Sequence, residues 1–152
     1  PRLVLSSLND VVLGRGSVAR LQEIEAMVNG SLLMNYRADA VIVCSATGST
    51  GYALSNGGPV LYPEAKLMVV VPVAAQSGLR NGVVLHENTV IELVASGTSD
   101  AFLSVDGFLD TSIGGDEKVI VERSPHVAQF LRARSQDDFY GELERRMGTI
   151  YR

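Results

Sequence analysis

The stretch AVIVCSATGSTGYALSNGGPV, residues 40–60, changes abruptly from apolar to small polar side chains. Its first five residues are all apolar, which is typical of a strand that is covered on both faces. Serine, threonine and glycine residues follow, and then a short helical run that stops at NGGP. The stretch therefore predicts a buried strand, a polar loop and a short helix over residues 50–56.

The polar loop has the chemistry of a ligand site. Small residues let backbone N–H groups come close to an anion or a flat polar ring, and Tyr52 offers a stacking face. Hydroxyls that both donate and accept suit the mixed edges of a nucleoside, and five occur here: Ser45, Thr47, Ser49, Thr50 and Ser55. The loop matches neither the lysine-containing phosphate loop, nor G-x-G-x-x-G, nor the G-x-S-x-G nucleophile elbow. From the residues alone, a capped turn without a ligand is an equally good interpretation.

Most of the flanking sequence predicts strands. A short apolar run covers residues 11–13, near-continuous ones cover 39–44 and 66–73, and three more follow at intervals of about ten residues, a spacing typical of sandwiches and barrels. The Asn29-Gly30 pair predicts a hairpin turn between two strand-length runs, with a helix over residues 20–28 as the competing interpretation.

A second helix is predicted near the end of the chain, over residues 137–147. Asp137 and Asp138 lie near its positive end, and Arg145 and Arg146 near its negative end. The fold class expected is mainly β: one two-layer, β-sandwich-like domain over residues 1–152, with a short ligand-loop helix and a C-terminal helix.

Composition and charge exclude several classes of function. The formal net charge of −4 argues against non-specific binding to nucleic acid or acidic membranes. The longest apolar run, residues 67–75, is far shorter than the roughly 20 residues of a membrane helix. The lone Cys44 excludes an internal disulfide, and with two separated histidines it gives no zinc spacing. We expect no nucleic-acid or membrane partner, no metal site in this chain, and a cytoplasmic location.

Several motifs together resemble the C-terminal domain of the NAD kinase family. LNDVVLGRG (8–16) resembles the family's Asn-Glu/Asp motif, and ADAVIVCSATGSTGYALSNGGPVLYP (38–63) is similar to its long glycine- and hydroxyl-rich signature. SVDG (104–107) resembles a later acidic turn, and DDFYGELERRMG (137–148) is like the closing helix. The resemblance covers essentially the whole chain. It implies an enzyme that phosphorylates the 2′-hydroxyl of the adenosine ribose of NAD.

The resemblance also implies site residues at matching positions. Asn9 and Asp10 are expected to reach the ribose and adenine of NAD, and Ala74 to offer backbone groups to adenine. Asp39 and Asp106 are expected near the site or at a subunit boundary that completes it. The residues expected to line the nucleotide cleft are Thr47, Thr50, Gly51, Tyr52 and Ser55. By pattern alone, Asp39 is equally a turn residue and Asp106 is more often one. For Asp10, the LND context favours a functional role over a solvated charge at the start of a strand.

The sequence departs from the family pattern at three positions and lacks one motif. Ala46 replaces the usual Pro, Gly51 the usual Ala, and Asp10 the commoner Glu. The Gly-Gly-Asp-Gly-Thr motif, which handles ATP phosphates and supplies the activating aspartate, does not occur; GGDEK at 114–118 shares only three letters with it. We therefore expect the NAD-binding half of a two-domain kinase, with no catalytic residue of its own and no activity alone.

The resemblance also implies cofactors and partners. Mg²⁺ and ATP, or polyphosphate, are expected to bind through the other domain, and the β-rich domain is expected to form a homodimer or homotetramer. Two other functions stay open: a lipid kinase of the diacylglycerol or sphingosine type, which would require an apolar acyl cavity, and a non-catalytic nucleotide-binding or assembly domain. The sequence does not distinguish NAD from NADH as substrate.

Overall fold

The structure is a computed structural model that describes residues 3–16, 21–96, 101–114, 117–131 and 139–150, with side chains except at 109–110 and 146–150. Within these ranges the chain forms ten strands, two α-helices and one 3₁₀ turn. The strands are β1 (Asp10–Arg15), β2 (Gln22–Val28), β3 (Ser31–Ala38), β4 (Ala40–Ser45), β5 (Leu67–Val73), β6 (Val83–His86), β7 (Ile91–Ser96), β8 (Ala101–Val105), β9 (Leu109–Ile113) and β10 (Lys118–Val121). The 3₁₀ turn is Gly48–Thr50, and the helices are α1 (Tyr52–Ser55) and α2 (Phe139–Ile150).

The strands form two antiparallel sheets. One has six strands in the order β6-β5-β4-β1-β8-β9, and the other has four in the order β10-β7-β2-β3. The mainly β, two-layer fold predicted from the sequence is confirmed. β6 and β9, which form the two edges of the larger sheet, were not predicted.

β4 lies inside the six-stranded sheet and is buried on both faces, as its apolar run predicts. Val41 and Val43 point into the core between the two sheets, which also contains Ile24 and Leu93. On the opposite face, the side chains of β4 join a second cluster beneath the loop that follows this strand: Ala40, Ile42, Cys44, Ala46, Ala53 and Leu61. The loop is therefore anchored to the sheet by its own apolar residues.

The hairpin at Asn29-Gly30 is confirmed. Both residues have positive φ angles, 49° and 78°, as expected for the tight turn that joins two right-twisted strands. Along β2, Ile24 and Ala26 are buried while Glu23 and Glu25 are exposed. This period of two belongs to a strand, so the competing helix over residues 20–28 is wrong.

The two helices differ slightly from their predicted bounds. α1 is a single turn that begins after the 3₁₀ turn, and it ends because Gly57, with a φ of 78°, takes the chain out of the helix. α2 begins at Phe139 and continues past the predicted end; Asp137 and Asp138 lie outside the described residues. Phe139 contacts Tyr62 edge to face, with ring centroids 5.6 Å apart. Neither α1 nor the described part of α2 is long and apolar enough to cross a membrane.

Candidate functional site

A cleft of about 280 Å³ opens where the start of β1, the β8–β9 turn and α1 meet. The residues that line it are Asn9, Asp10, Val12, Tyr52, Ser104, Asp106 and Gly107. Four of these seven were predicted as site residues, and they come from three separate sequence motifs. The fold therefore brings these motifs together in one place.

The sheet order explains this convergence. β1 lies between β4 and β8 and is antiparallel to both, so its first residues sit beside the last residues of its two neighbours. Asp10 pairs with Cys44, one residue before β4 ends, and Val11 pairs with Val105, the last residue of β8. The polar loop and the SVDG turn therefore leave the sheet on either side of the residues that begin β1.

The β8–β9 turn is built by an Asp-Gly pair. Asp106 and Gly107 have φ angles of 51° and 68°, in the left-handed region, and with residue 108 they connect the register partners Val105 and Leu109. A Cβ added to Gly107 would meet no atom within 4 Å, so backbone conformation, and not space, favours glycine there. Asp106 is thus both a turn residue and a residue of the cleft.

The carboxylate of Asp106 accepts hydrogen bonds from the segment that leads into β1. Its Oδ2 accepts from the backbone N–H of Leu8 at 2.7 Å. Its Oδ1 accepts from the N–H groups of Asn9 and Asp10 at 2.7 and 2.9 Å. The hydroxyl of Ser7 donates to the same Oδ1 at 2.7 Å. One side chain thus satisfies three successive backbone donors at the cleft wall.

The polar loop contacts the same segment through the backbone carbonyl groups of Leu8 and Asn9. The N–H of Ser45 donates to the carbonyl oxygen of Asn9 at 2.9 Å, and its hydroxyl donates to the carbonyl oxygen of Leu8 at 2.7 Å. Gly48 packs directly on Asn9, because an added Cβ would lie only 2.1 Å from the Asn9 carbonyl oxygen. Glycine at position 48 is therefore required by close backbone approach.

Not all hydroxyls of the loop are available to a ligand. The Ser49 side chain is fully buried; its Oγ donates to the carbonyl of Ala46 at 2.7 Å and accepts from the N–H of Leu61 at 3.0 Å. Ser45, as described above, is also bonded to the backbone. These two serines therefore stabilise the loop itself.

The other loop hydroxyls face outward. Thr47 and Thr50 are half-buried and Ser55 is exposed, and within the described ranges their hydroxyls have no hydrogen-bond partner. Gly51 is also exposed, and a Cβ added at this position would lie 3.3 Å from the carbonyl oxygen of Gly48. Thr50 lies on the 3₁₀ turn and Ser55 on α1, while Thr47 precedes the turn and Gly51 joins the two elements. Of this segment, only Tyr52 lines the cleft.

The pKa values of the two cleft carboxylates shift in opposite directions. Burial, and then the nearby charge of Asp106, raise the pKa of Asp10 above its ordinary value. Burial also raises the pKa of Asp106, but the hydrogen bonds that its carboxylate accepts lower this pKa by more, so the net shift is downward. In the described part of the chain no group donates to the Asp10 carboxylate, which leaves it open to a ligand donor.

Asp39 and Ala74 do not join this cleft within one chain. Asp39 precedes β4 and Ala74 follows β5, and the two meet at the opposite end of the sheet, where the Asp39 N–H donates to the Val73 carbonyl at 2.9 Å. The Asp39 carboxylate pairs with the Arg15 guanidinium at 3.2 Å. The length of β4, roughly 17 Å at the usual rise per residue, separates Asp39 from the cleft.

Three cleft residues were missed by the sequence reasoning: Val12, Ser104 and Gly107. Val12 and Ser104 are register partners across β1 and β8, so only the strand pairing places them together. Gly107 follows Asp106 directly, and the Asp-Gly turn signal could have included it. Among the described residues, no group of three or more His, Cys, Asp or Glu side chains could hold a metal ion.

Curated relatives of this chain are named NAD kinases. It is 38% identical over 142 residues to NAD kinase of Chloroflexus aggregans, covering 93% of this chain and 51% of that protein. It is 34% identical over 140 residues to NAD kinase of Dehalococcoides mccartyi strain CBDB1, covering 92% of this chain and 49% of that protein. The chain thus spans about half the length of these relatives.

Solved structures share the fold. An NAD kinase from Archaeoglobus fulgidus in complex with ATP superposes with a TM-score of 0.80 and 27% identity, covering 91% of this chain and 54% of the other. Yeast NADH kinase complexed with NADH gives a TM-score of 0.83 and 25% identity, covering 93% and 42%. The family model described as the ATP-NAD kinase C-terminal domain matches residues 8–133. The chain belongs to the ATP-NAD kinase C-terminal domain family.

Proposed function

We propose that this chain is the NAD-binding half of an NAD kinase, which transfers a phosphoryl group from ATP to the 2′-hydroxyl of the adenosine ribose of NAD. One observation carries the proposal: three motifs that are distant in sequence form one cleft that combines a carboxylate, an amide and an aromatic ring. The names of the relatives and the NADH complex of the yeast enzyme support the same substrate class.

The cleft residues have chemistry that suits a nucleoside. The carboxylate of Asp10 would accept hydrogen bonds from ribose hydroxyls, and the amide of Asn9 would both donate to and accept from the base or sugar. Tyr52 is 47% exposed at the rim and would stack on a ring. The outward hydroxyls of Thr47, Thr50 and Ser55, and the backbone of Gly51, would extend the contact surface; Asp106 completes the wall.

The remaining parts of the reaction are assigned outside this chain. We expect ATP, or polyphosphate, together with Mg²⁺ and the general base to be supplied by the rest of the protein, and the chain alone to be inactive. Catalysis would then rest on positioning and charge stabilisation at the boundary between the two parts. A cytoplasmic location is part of the same proposal.

An oligomer would give Asp39 and Ala74 a role. Because they lie far from the cleft of their own chain, we propose that they contribute at a subunit boundary in a homodimer or homotetramer. Light scattering of the purified chain tests this proposal. A monomer at all concentrations would remove both residues from the predicted site.

The chemistry of the cleft argues against one of the two alternative functions and leaves the other open. A lipid kinase requires an apolar acyl cavity, whereas this cleft contains two aspartates, an asparagine and a serine, and the relatives compared above are named for NAD or NADH. We therefore do not retain the lipid kinase. A non-catalytic nucleotide-binding or assembly domain differs from the kinase only in lacking turnover, so it becomes an outcome of the experiment.

Calorimetric titration with NAD tests the proposal. The chain is compared with Asn9→Ala, Tyr52→Ala and a control, Tyr140→Ala, which removes an exposed tyrosine on α2. We expect saturable binding that the first two substitutions weaken about tenfold or more and the control leaves unchanged, because a lost hydrogen bond or stacking contact costs about 1–2 kcal/mol.

Activity separates the kinase from the assembly domain. The longest natural form of the protein that contains this sequence should convert NAD to NADP with ATP, and the Asn9→Ala form should do so with a raised KM for NAD. Binding without any turnover in that longest form would favour the non-catalytic domain. Binding that neither Asn9→Ala nor Tyr52→Ala weakens would contradict the assignment of the cleft.

A further inference from the structure

The geometry points to Asp106 as a positioning residue: it fixes the backbone that presents Asn9 to the cleft and makes no contact with the nucleotide itself. This inference rests on the proposed function for its ligand. The two cleft carboxylates then have different roles: Asp106 holds the wall of the cleft in place, and Asp10 faces the bound molecule.

The acceptor capacity of Asp106 is largely used by the chain itself. An ionised carboxylate has about four lone-pair sites. Three backbone N–H groups, of Leu8, Asn9 and Asp10, already donate to its two oxygens within 2.9 Å. The Ser7 hydroxyl lies 2.7 Å from Oδ1 and 2.9 Å from the Asp10 carbonyl oxygen, so these two acceptors share its one proton. Oδ1 therefore has no site left for a ligand hydroxyl, and Oδ2 is shared with the N–H of Leu8.

Residues 7–9 have few other hydrogen bonds to hold them in place. Residues 7–9 precede β1 and lie outside its ladder, and their side chains are exposed or half-buried. The N–H of Asn9 is held by Asp106, and its carbonyl is held by Ser45 and packed against Gly48. The direction of the Asn9 side chain therefore depends on Asp106 from one side and on the polar loop from the other.

Hydrogen bonds between Asp106 and Asp10 run in both directions. The N–H of Asp106 donates to the carbonyl of Asp10 at 2.9 Å, while its carboxylate accepts from the N–H of Asp10. The hydrogen bonds also keep the pKa of Asp106 low, so the carboxylate stays charged at neutral pH. The β8–β9 turn and the start of β1 are thereby locked to each other before any ligand binds.

The test uses Asp106→Asn, which preserves size but replaces one acceptor oxygen by a donor that would face an N–H group. The matched control is Glu117→Gln, because Glu117 also accepts a backbone N–H, that of Gly114 at 2.7 Å, beyond the end of β9 that lies away from the β8–β9 turn. Amide hydrogen exchange is followed at residues 8–10 in the ligand-free protein. We expect exchange about tenfold faster or more in Asp106→Asn and no change at 8–10 in Glu117→Gln, because one charge-assisted hydrogen bond is worth at least a factor of ten.

A double-mutant cycle distinguishes positioning from contact. If Asp106 acts through Asn9, Asp106→Asn weakens NAD binding in the wild type but causes little further loss in the Asn9→Ala background. Losses in affinity that add would show that Asp106 contacts the nucleotide directly and would overturn the inference. Unchanged exchange at residues 8–10 would overturn it as well.

Two further results distinguish a failure of the positioning role from a failure of the proposed function. If wild type does not bind NAD but Asp106→Asn still accelerates exchange at residues 8–10, the positioning role stands and the nucleotide assignment fails. If Asp106→Asn does not fold, Ser7→Ala removes one donor to the same Oδ1 and leaves the carboxylate in place. We then expect a smaller, measurable acceleration at residues 8–10, and its absence counts against the inference.

Discussion

The carboxylate of Asp106 accepts a 2.7 Å hydrogen bond from the N–H of Asn9, although 97 residues separate them in the sequence. This contact joins the β8–β9 turn to the start of β1, and the two strands lie side by side only because of the sheet order. The candidate cleft is therefore a product of long-range strand pairing. Variants that alter this end of the sheet should change ligand binding and local stability together.

Asp10→Asn should stabilise the protein while weakening NAD binding. The pKa of Asp10 is raised in the folded state, first by burial and then by Asp106, so ionisation of Asp10 costs the folded protein stability as pH rises through that pKa. Asparagine carries no charge, so the variant should have the higher melting temperature near neutral pH. It should bind NAD more weakly because the ribose loses a charged acceptor.

The pH dependence provides the control for Asp10. Well below pH 3.8, the ordinary pKa of this group, Asp10 is protonated in both folded and unfolded chains, so the melting temperatures of wild type and variant should converge. Calorimetric melting across the pH range checks this. A variant that is less stable than wild type near neutral pH would contradict the assigned shift.

Gly48→Ala should disrupt the loop, and Gly51→Ala should be tolerated. An alanine Cβ at position 48 would lie 2.1 Å from the Asn9 carbonyl oxygen, which forces the two backbones apart. We expect a loss of about 1–3 kcal/mol in the free energy of unfolding, together with weaker NAD binding. At Gly51, φ is −99° and the nearest atom is 3.3 Å away, so alanine should change stability by less than about 1 kcal/mol. Urea unfolding of both variants tests the contrast, and equal losses would refute it.

Tyr36→Phe should stabilise the core. Tyr36 is 1% exposed between the two sheets, and within the described residues its hydroxyl has no hydrogen-bond partner. Removing an unsatisfied buried hydroxyl should raise the free energy of unfolding by about 1 kcal/mol or more. Burial raises the pKa of Tyr36 above its ordinary 10.0, so wild type should lose stability more steeply than the variant as pH rises past that value. Urea unfolding midpoints measure both effects, and a less stable variant would show that the hydroxyl is satisfied.

Cys44 should be a slowly reacting thiol. Burial, followed by the charge of Asp10, raises its pKa from 9.0 to about 11, which lowers the thiolate fraction near neutral pH about a hundredfold. Alkylation of the folded chain should therefore be slow and should accelerate when urea opens the structure. Asp10→Asn should lower this pKa and shift the pH profile of alkylation downward. A rate equal to that of an unstructured thiol would contradict the buried position of Cys44.

The central features of the fold could be predicted because their signals are local. The apolar run of β4 and the Asn29-Gly30 turn each carry their own pattern, and both are confirmed. The edge strands β6 and β9 could not be predicted, because each is short, partly exposed and defined only by pairing with its neighbour. The ambiguity between helix and strand over residues 20–28 was resolved only by the second sheet, whose core fixes the alternation of β2.

The candidate site, like the fold, could be predicted only where its sequence signals are local. Asp106 could be recognised as a turn residue from SVDG, but its hydrogen bonds to residues 8–10 depend on the pairing of β8 with β1. Likewise, the sequence predicts a row of hydroxyls without distinguishing the buried Ser49 from the outward Thr47. Asp39 could be named from the family motif, yet its distance from the cleft follows only from the direction of β4.

Nuclear magnetic resonance of the labelled chain during titration with NAD tests the central claim most directly. If the cleft binds the nucleotide, saturable shifts should be largest for the backbone amides of Asn9, Asp10, Tyr52, Ser104 and Gly107, and small at the remote β6. Saturable shifts elsewhere with none at these five amides would place the nucleotide outside the cleft and contradict the proposed function.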